Sequence, residues 1–232
     1  AQCKQGDRLG QPGAIIDALL QKWHQQVRDT LRTEYAHSLH RLSSHLRSRG
    51  LACWSLFAGT GIATKLSKKL ADLYKGAFGI DLQMKTTLQA EKHVEKQHWL
   101  RQHHTDTPVL VLDVTEVKER TVKHLKEAGN AEGDAQRMLL MHVDKIDVGI
   151  PCVSRSTLST QAKHMVNCVQ EERGETGLGF KKAKESALVH KCPLVIMEYV
   201  TGLWAAKDTA HAISDAQWMC NEFRKEGYWA HC

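Results

Sequence analysis

The stretch ACWSLFAGTG, residues 52–61, combines an apolar run with a glycine-rich turn. The apolar run ends at Phe57, and the turn contains Gly59 and Gly61. A helical pattern follows, from about Ile62 to Tyr74. Apolar runs without polar alternation are typical of strands that are covered on both faces. The stretch therefore predicts a strand, a turn and a helix, which together form the repeating unit of a parallel sheet.

The same alternation continues along the chain. Further strands are predicted at residues 76–80, 108–112, 146–150, 193–197 and 227–231. Helices are predicted between them: one after the second strand through Trp99, one at 116–141 and one at 208–225. The polar stretch Gly174 to Gly179 is predicted to be a mobile loop. Alternating strands and helices predict an α/β, Rossmann-like fold whose mostly parallel sheet has helices on both faces.

The first part of the chain has a different pattern of apolar and polar residues. After a polar lead-in, residues 15–49 carry apolar side chains at four-residue spacing, which predicts one long amphipathic helix. We predict two parts: residues 1–50, with this helix, and residues 51–232, the α/β domain. The first residue is not methionine, and we expect the chain to be a piece of a longer protein.

Composition narrows the classes of function. Of 232 residues, 42% are hydrophobic and 25% charged, which favours a packed core over disorder. The net charge of +6 is compatible with a nucleic-acid partner but does not require one. No apolar run reaches membrane-spanning length. The seven cysteines include no Cys-x-x-Cys pair, so we expect a reduced, intracellular protein without a metal site.

Potential ligand-binding residues follow the predicted strands. In open parallel sheets, ligands bind beyond the carboxyl ends of the strands. The turn with Gly59 and Gly61 allows close approach of an anionic group to the backbone. Asp81 is placed to bind ribose hydroxyls, and Asp113 to bind an adenine amine. These residues predict S-adenosylmethionine as cofactor; the alternative is that both aspartates only cap helices.

A second group of residues predicts covalent chemistry. Pro151 restricts its own backbone and that of its neighbour, so that Cys152 leaves the fourth strand in a defined direction. A thiolate there could act as a nucleophile, and Glu198, after the fifth strand, as an acid if the two strand ends lie together. The alternative is a cysteine that only fills a turn or a core.

Ordered motifs over roughly residues 52–232 resemble the cytosine-C5 methyltransferases. Ser55-Leu-Phe-Ala-Gly-Thr-Gly61 is similar to the first motif of that family, and Gly79-Ile-Asp81 to its second. Asp113-Val-Thr115 resembles the third motif. Gly149-Ile-Pro-Cys152 resembles the Gly-Phe-Pro-Cys-Gln nucleophile motif, and Glu198-Tyr-Val200 the Glu-Asn-Val motif.

The resemblance implies an S-adenosylmethionine-dependent methyltransferase fold whose C-terminal part, with the target-recognition region, is missing. It implies methyl transfer to C5 of cytosine in DNA, with Cys152 as nucleophile and Glu198 bound to N3 of a flipped base. We expect a nuclear location if the source is eukaryotic. The expected cofactor-binding residues are Phe57, Ala58, Gly59, Thr60, Gly61, Asp81, Leu82, Asp113, Val114 and Pro151.

Two other functions remain open at this point. Transfer RNA could replace DNA as the substrate with the same chemistry, because the recognition region that would distinguish them is absent. A non-catalytic module with the same fold is favoured by two departures from the motifs. Val153 stands where the family has Gln, and Tyr199 where it has Asn.

Overall fold

The computed structural model describes most of residues 50–232 and a few earlier positions. The described residues are 50–79, 81–107, 109–111, 113–114, 142–151, 168–199, 201–204 and 213–232, with Lys22, Gln25 and Asp29. The last three are helical and exposed; the rest of the predicted N-terminal helix lies outside the described residues, as does the predicted helix at 116–141. The chain forms two compact units, residues 1–50 with 68–83 and residues 51–67 with 84–232.

The second unit contains a sheet of five parallel strands. These are β1 (Leu51–Leu56), β2 (Met84–Ala90), β3 (Val109–Val111), β4 (Lys145–Gly149) and β5 (Leu194–Glu198). Their order across the sheet is β3-β2-β1-β4-β5. The order reverses between β1 and β4, and such a reversal opens a crevice at the carboxyl ends of the strands. An α/β architecture with an all-parallel sheet is therefore confirmed and is consistent with a Rossmann-like fold.

Three of the described helices connect strands: α1 (Ile62–Phe78), α2 (Val94–His103) and α3 (Gly174–Val189). A short 3₁₀ helix at Thr201–Trp204 and helix α4 (Asp215–Lys225) follow β5. Helix α2 leads from β2 to β3 and α3 leads from β4 to β5, in opposite directions across the sheet. Because parallel crossovers are right-handed, α2 and α3 pack on opposite faces.

The core lies between the sheet and these connections. Its largest fully buried side chains on the strands include Trp54, Leu56, Leu88, Ile146 and Val148. Helix α3 contributes Phe180 and Ala183, and α4 contributes Met219 and Phe223 to the same cluster. Burial on both faces explains why the middle strand, β1, reads as a near-continuous apolar run.

The second strand is not where the sequence predicts it. Helix α1 continues through 76–78, and the strand is Met84–Ala90, which the sequence analysis assigns to a helix. Two of its buried polar side chains are hydrogen-bonded: Gln89 Nε2 donates to Thr64 Oγ1 at 3.1 Å, and Thr87 Oγ1 to the Cys53 carbonyl at 3.5 Å. A strand whose polar groups are satisfied in this way lacks the apolar run that sequence reasoning looks for.

Two other predictions are wrong. Residues 174–179 form the start of α3 rather than a loop, and residues 227–231 do not form a strand. In the last segment Trp229 is 93% exposed, so its aromatic side chain does not fill a core position. The predicted helix at 208–225 is described from Asp215 onward, where Ser214 and Gln217 form a capping box.

A buried ion pair connects β4 to α1. Lys145 Nζ donates to Asp147 Oδ2 at 2.9 Å and to Ser67 Oγ at 2.8 Å. Lys145 and Ser67 are each 4% exposed and Asp147 is 9% exposed. Burial raises the pKa of the Asp147 carboxyl, and the ammonium group of Lys145 opposes that rise. The pair is therefore interdependent, because either charge alone would be costly at this depth.

Candidate functional site

A cleft of about 260 Å³ opens at the carboxyl ends of the strands. It lies where the strand order reverses, between the turn after β1 and the end of β4. Of the residues predicted to bind a cofactor, those that line it are Phe57, Gly59, Asp113, Val114 and Pro151. The structure adds Ala90, Glu91, Lys92, His93, Lys96, Gly149 and Glu175. The parallel sheet thus brings together residues that are up to 118 positions apart (175 − 57) in the chain.

The turn after β1 has an unusual backbone. Phe57 has a φ of 55°, which is rare for a residue with a side chain, and Gly59 and Gly61 have φ of 57° and 76°. The Ala58 N–H donates to the Ala90 carbonyl at 2.8 Å, and the Gly61 N–H donates to the Ala58 carbonyl at 2.8 Å. These bonds fasten the turn to the end of β2. Strained backbone of this kind is concentrated at functional sites.

Gly59 and Gly61 differ in their surroundings. A Cβ atom on Gly61 would lie 2.3 Å from Nε2 of His104, whereas one on Gly59 would meet no atom within 4 Å. Gly61 is therefore needed for packing against the buried His104. Gly59 faces the open cleft, where a ligand can approach its backbone. Ala58 is buried and Thr60 is exposed, and neither is among the described residues that line the cleft.

Glu91 occupies the position at the end of β2 that the sequence analysis gives to Asp81. Its Oε2 accepts from the Gly59 N–H at 2.8 Å, and its Oε1 accepts from the His93 N–H at 3.0 Å. Glu91 is only 5% exposed. A carboxylate has about four lone-pair sites, so it retains acceptor capacity toward the cleft. The position at the end of the second strand, from which the sequence predicts a ribose contact, therefore belongs to Glu91.

Asp81 and Leu82 precede β2 rather than follow a strand. They belong to the first unit, where Asp81 lies 3.6 Å from Lys75 as an exposed ion pair and Leu82 is buried. The prediction that Asp81 ends a strand is wrong, because α1 includes residues 76–78 of the predicted strand and β2 begins only at Met84. Neither residue is among the described residues that line the cleft.

Charged groups of both signs surround the cleft. Lys92 Nζ donates to Glu175 Oε1 at 2.5 Å, which joins the end of β2 to the first turn of α3. This hydrogen bond is the main cause that raises the pKa of Lys92, with a smaller effect of Asp113 in the same direction. Glu175 is thus paired with Lys92, and Lys96 adds a further positive charge, while Glu91 and Asp113 present carboxylate oxygens that can accept hydrogen bonds from hydroxyl or amine groups of a ligand.

The ends of β4 and β5 lie side by side. Gly149 and Glu198 are register partners in the parallel pair β4–β5. A Cβ atom on Gly149 would lie 4.0 Å from Oε2 of Glu198. The condition that these strand ends lie together is therefore met, with Glu198 exposed at the edge. Pro151 lines the cleft two residues beyond Gly149; Cys152, the predicted nucleophile, lies outside the described residues.

Sequence reasoning missed several residues at this site. Glu91 comes directly after the stretch Thr86–Ala90. The two threonines in that stretch are β-branched, and they were the available signal for a strand. The sequence predicts a loop at Glu175 and Thr176, because three glycines in six residues normally indicate one. Tyr199, which replaces an Asn of the motif, is partly buried against the core. Burial raises its pKa.

Membrane spans, metal sites and likeness to known proteins also bear on function. No helix among the described residues combines the length and the apolar character needed to cross a membrane. Within the same residues, no group of three or more His, Cys, Asp or Glu side chains is arranged to hold a metal ion.

Comparison with models of known protein families and with curated protein sequences found no match for this chain.

Proposed function

We propose that this chain is the cofactor-binding and nucleophile-bearing part of a DNA cytosine-C5 methyltransferase that uses S-adenosylmethionine. The observation that carries the proposal is the cleft at the strand ends, lined by Gly59, Glu91, Asp113 and Pro151. Each of these residues follows a different strand, in the order β1, β2, β3, β4. Gly59, Asp113 and Pro151 are among the residues expected to bind the cofactor, and Glu91 takes the strand-end position expected of Asp81.

The lining residues fit the cofactor by their chemistry. Glu91 would accept hydrogen bonds from the ribose hydroxyls, and Asp113 from the exocyclic amine of adenine. Phe57, Val114 and Pro151 offer apolar surface to the purine ring. The open space in front of Gly59 would admit the amino-acid end. When bound, S-adenosylmethionine would supply an electrophilic methyl group.

The remaining steps belong to the protein and the target base. The Cys152 thiolate would attack C6 of an extruded cytosine and form a covalent bond. Glu198 would protonate N3, so that the ring can hold the electron pair that arrives with the sulfur. That pair would then be directed to C5, which takes the methyl group with S-adenosylhomocysteine as the leaving group. Loss of the C5 proton to water, release of the Cys152 thiolate and return of the N3 proton to Glu198 would restore aromaticity and complete the reaction.

The test is a covalent trap. The chain is mixed with S-adenosylmethionine and oligonucleotides that contain 5-fluorocytosine, in which fluorine at C5 prevents the proton loss that releases the enzyme. We expect an adduct with DNA that survives denaturation in the wild type and is absent in Cys152→Ser. Glu198→Gln should form the adduct more slowly, because the ring then lacks its proton donor.

The other outcomes select the other functions. An adduct with RNA oligonucleotides alone would transfer the proposal to an RNA substrate. Absence of an adduct on either nucleic acid, from a chain that binds S-adenosylmethionine, would support a non-catalytic module, in line with Tyr199 being used for packing. Absence of both adduct and cofactor binding would reject the proposed function as a whole.

A further inference from the structure

The segment that follows α4, residues 227–232, is fastened to its surroundings at two points. The hydroxyl group of Tyr228 donates to the carbonyl oxygen of Cys192 at 2.7 Å. Arg224, in the last turn of α4, donates to the carbonyl oxygen of Ala230 from Nε at 3.1 Å and from a terminal nitrogen at 2.7 Å. The second contact ties the segment to the helix that it has just left.

The same segment brings two thiols together. Cys220 lies four residues before Arg224 on α4, and Cys232 lies two residues after Ala230. Four helical residues rise about 6 Å, and two residues of extended chain span about 7 Å, so the two spacings match. The side chains of Cys220 and Cys232 are in hydrogen-bonding contact. Both thiols are free, and both line a cavity of about 630 Å³.

The two thiols differ in exposure and in ionisation. Cys232 is exposed, whereas Cys220 is half-buried. Burial and the contact with Cys232 raise the pKa of Cys220 to about 11, and the positive charge of Arg224 acts in the opposite direction. An oxidant in solution therefore reaches Cys232 first, while Cys220 remains a protonated thiol beside it. An accessible cysteine next to a second, resolving cysteine is typical of redox-sensitive sites.

We propose that Cys220 and Cys232 are a redox-sensitive pair whose reversible disulfide fastens residues 227–232 to α4. Neither cysteine lines the cleft at the strand ends. The proposal needs the two thiols and an oxidant, and it does not depend on methyl transfer.

Hydrogen peroxide is an oxidant that balances the reaction. The Cys232 thiol loses its proton, and its sulfur attacks one peroxide oxygen; the O–O bond breaks, and the hydroxide that leaves takes up the proton as water. The product is a sulfenic acid. The Cys220 thiol then loses its proton, and its sulfur attacks the sulfur of Cys232; the S–O bond breaks, and a second water forms. Two thiols are oxidised by two electrons in all, and a dithiol reductant reverses the change.

The test is to map the disulfide in the whole chain. The chain is treated with hydrogen peroxide, the remaining thiols are blocked with iodoacetamide, and trypsin is added without reductant. Trypsin cleaves after Lys and Arg, so Cys220 lies in peptide 208–224 and Cys232 in peptide 226–232. We expect the two peptides to be linked, with two hydrogens fewer than their sum, and to separate in dithiothreitol. Absence of the linked peptide, or linkage only between two chains, would overturn the proposal.

A comparison of variants shows whether the fold brings the thiols together. Arg224→Met removes the bonds to Ala230 and should slow disulfide formation about 2- to 10-fold, the range expected for a lost hydrogen bond. The matched control is Lys225→Met, since Lys225 pairs with Glu222, and its rate should equal that of the wild type. In urea, Cys232 should also link to other cysteines. Equal rates in both variants, with unchanged selectivity in urea, would overturn the proposal, because nearness in sequence would then explain the link.

A second measurement asks whether the disulfide fastens the segment. Trp229 is 93% exposed, which makes it a site for chymotrypsin. Cleavage by a protease requires the segment to detach locally, so cleavage after Trp229 should be slower in the oxidised chain than in the reduced chain. Cys220→Ser cannot form the bond, and peroxide should leave its cleavage rate unchanged. Equal rates in the oxidised and reduced wild type would show that the bond does not restrain the segment and would reject its proposed role.

Discussion

The Glu91 carboxylate accepts the Gly59 N–H at 2.8 Å, and this bond joins the ends of β1 and β2 at the cleft. The second oxygen accepts the His93 N–H at 3.0 Å. One buried side chain thus shapes the glycine turn and presents its remaining lone pairs to a ligand. Structure and binding at this point depend on the same carboxylate.

Replacement of Glu91 by Gln should weaken cofactor binding. The Glu91 carboxylate accepts the Gly59 N–H on one oxygen and the His93 N–H on the other. A glutamine side chain has only one acceptor oxygen, so one of these two hydrogen bonds is lost. We expect the affinity for S-adenosylmethionine to fall about 10- to 100-fold, since hydrogen bonds to charged groups contribute about 1.5–3 kcal/mol. Isothermal titration calorimetry measures it. The matched control is Asp81→Asn, an exposed carboxylate paired with Lys75, which should bind as the wild type does. The reverse ranking would return the ribose contact to Asp81.

Substitution by alanine should lower the stability of the protein more at Gly61 than at Gly59. Both have positive φ, but only at Gly61 would the new Cβ collide with His104, at 2.3 Å. We expect Gly61→Ala to cost about 2–4 kcal/mol of the free energy of unfolding, from strain and overpacking together. Gly59→Ala should cost about 1 kcal/mol, from backbone strain alone. Urea denaturation gives both values. Equal costs would mean that His104 moves aside without penalty.

Loss of Lys145 should leave a buried carboxylate without its cation. We expect Lys145→Met to lower the free energy of unfolding by about 3–5 kcal/mol at neutral pH. Burial already raises the pKa of Asp147, and removal of the ammonium group raises it further. A carboxyl whose pKa is higher in the folded state favours folding below its unfolded pKa, and this contribution is lost as pH rises through the folded pKa.

The Lys145→Met variant should therefore show a pH dependence of definite sign. It should regain stability as the pH is lowered from neutral to about 5, because Asp147 then folds in its neutral form. The double variant Lys145→Met, Asp147→Asn has no such carboxyl and should lack this recovery. Urea denaturation across this pH range measures both. A single variant that loses stability on acidification as fast as the double variant would show that Asp147 is not buried as described.

The cysteines should differ in reactivity. Burial raises the pKa of the Cys53 thiol to about 12 and that of Cys192 to about 11, whereas Cys232 is exposed. Because the thiolate is the reactive form, iodoacetamide at neutral pH should label Cys232 and leave Cys53 and Cys192 unmodified until the chain is unfolded. Peptide mass spectrometry reads the three sites separately. Rapid labelling of Cys53 in the folded protein would contradict its place in β1.

Four of the described strands could be predicted from the sequence because each coincides with a short run rich in apolar residues, including β5, none of whose residues is fully buried. β2 could not, since it buries Thr86, Thr87 and Gln89; the hydrogen-bond partners of Thr87 and Gln89, Cys53 and Thr64, lie far away in the chain. Because of that single error, the sequence analysis places the carboxylate of the second strand end at Asp81 and not at Glu91. Hydrogen bonds to residues that are distant in the chain satisfy the buried polar side chains of such a strand. A local sequence pattern gives no information on these bonds.

The candidate site was predictable where it depends on strand ends and not where it depends on close packing. Gly59, Asp113 and Pro151 come shortly after strands and line the cleft as expected. The start of α3 was not predictable, because its glycines serve contacts with Pro151 and Cys168 that only the folded chain reveals. Glycine-rich sequence indicates either a loop or a close approach, and local sequence does not distinguish them.

Formation of 5-methylcytosine tests the proposed methyl transfer most directly. The chain is incubated with S-adenosylmethionine carrying an isotopically labelled methyl group and with unmethylated DNA, which is then digested to nucleosides and analysed by mass spectrometry. The account predicts labelled 5-methylcytosine from the wild type, much less from Glu91→Gln and none from Cys152→Ser. Labelled 5-methylcytosine that persists in Cys152→Ser, or its absence from a wild type that binds both S-adenosylmethionine and DNA, would contradict the account.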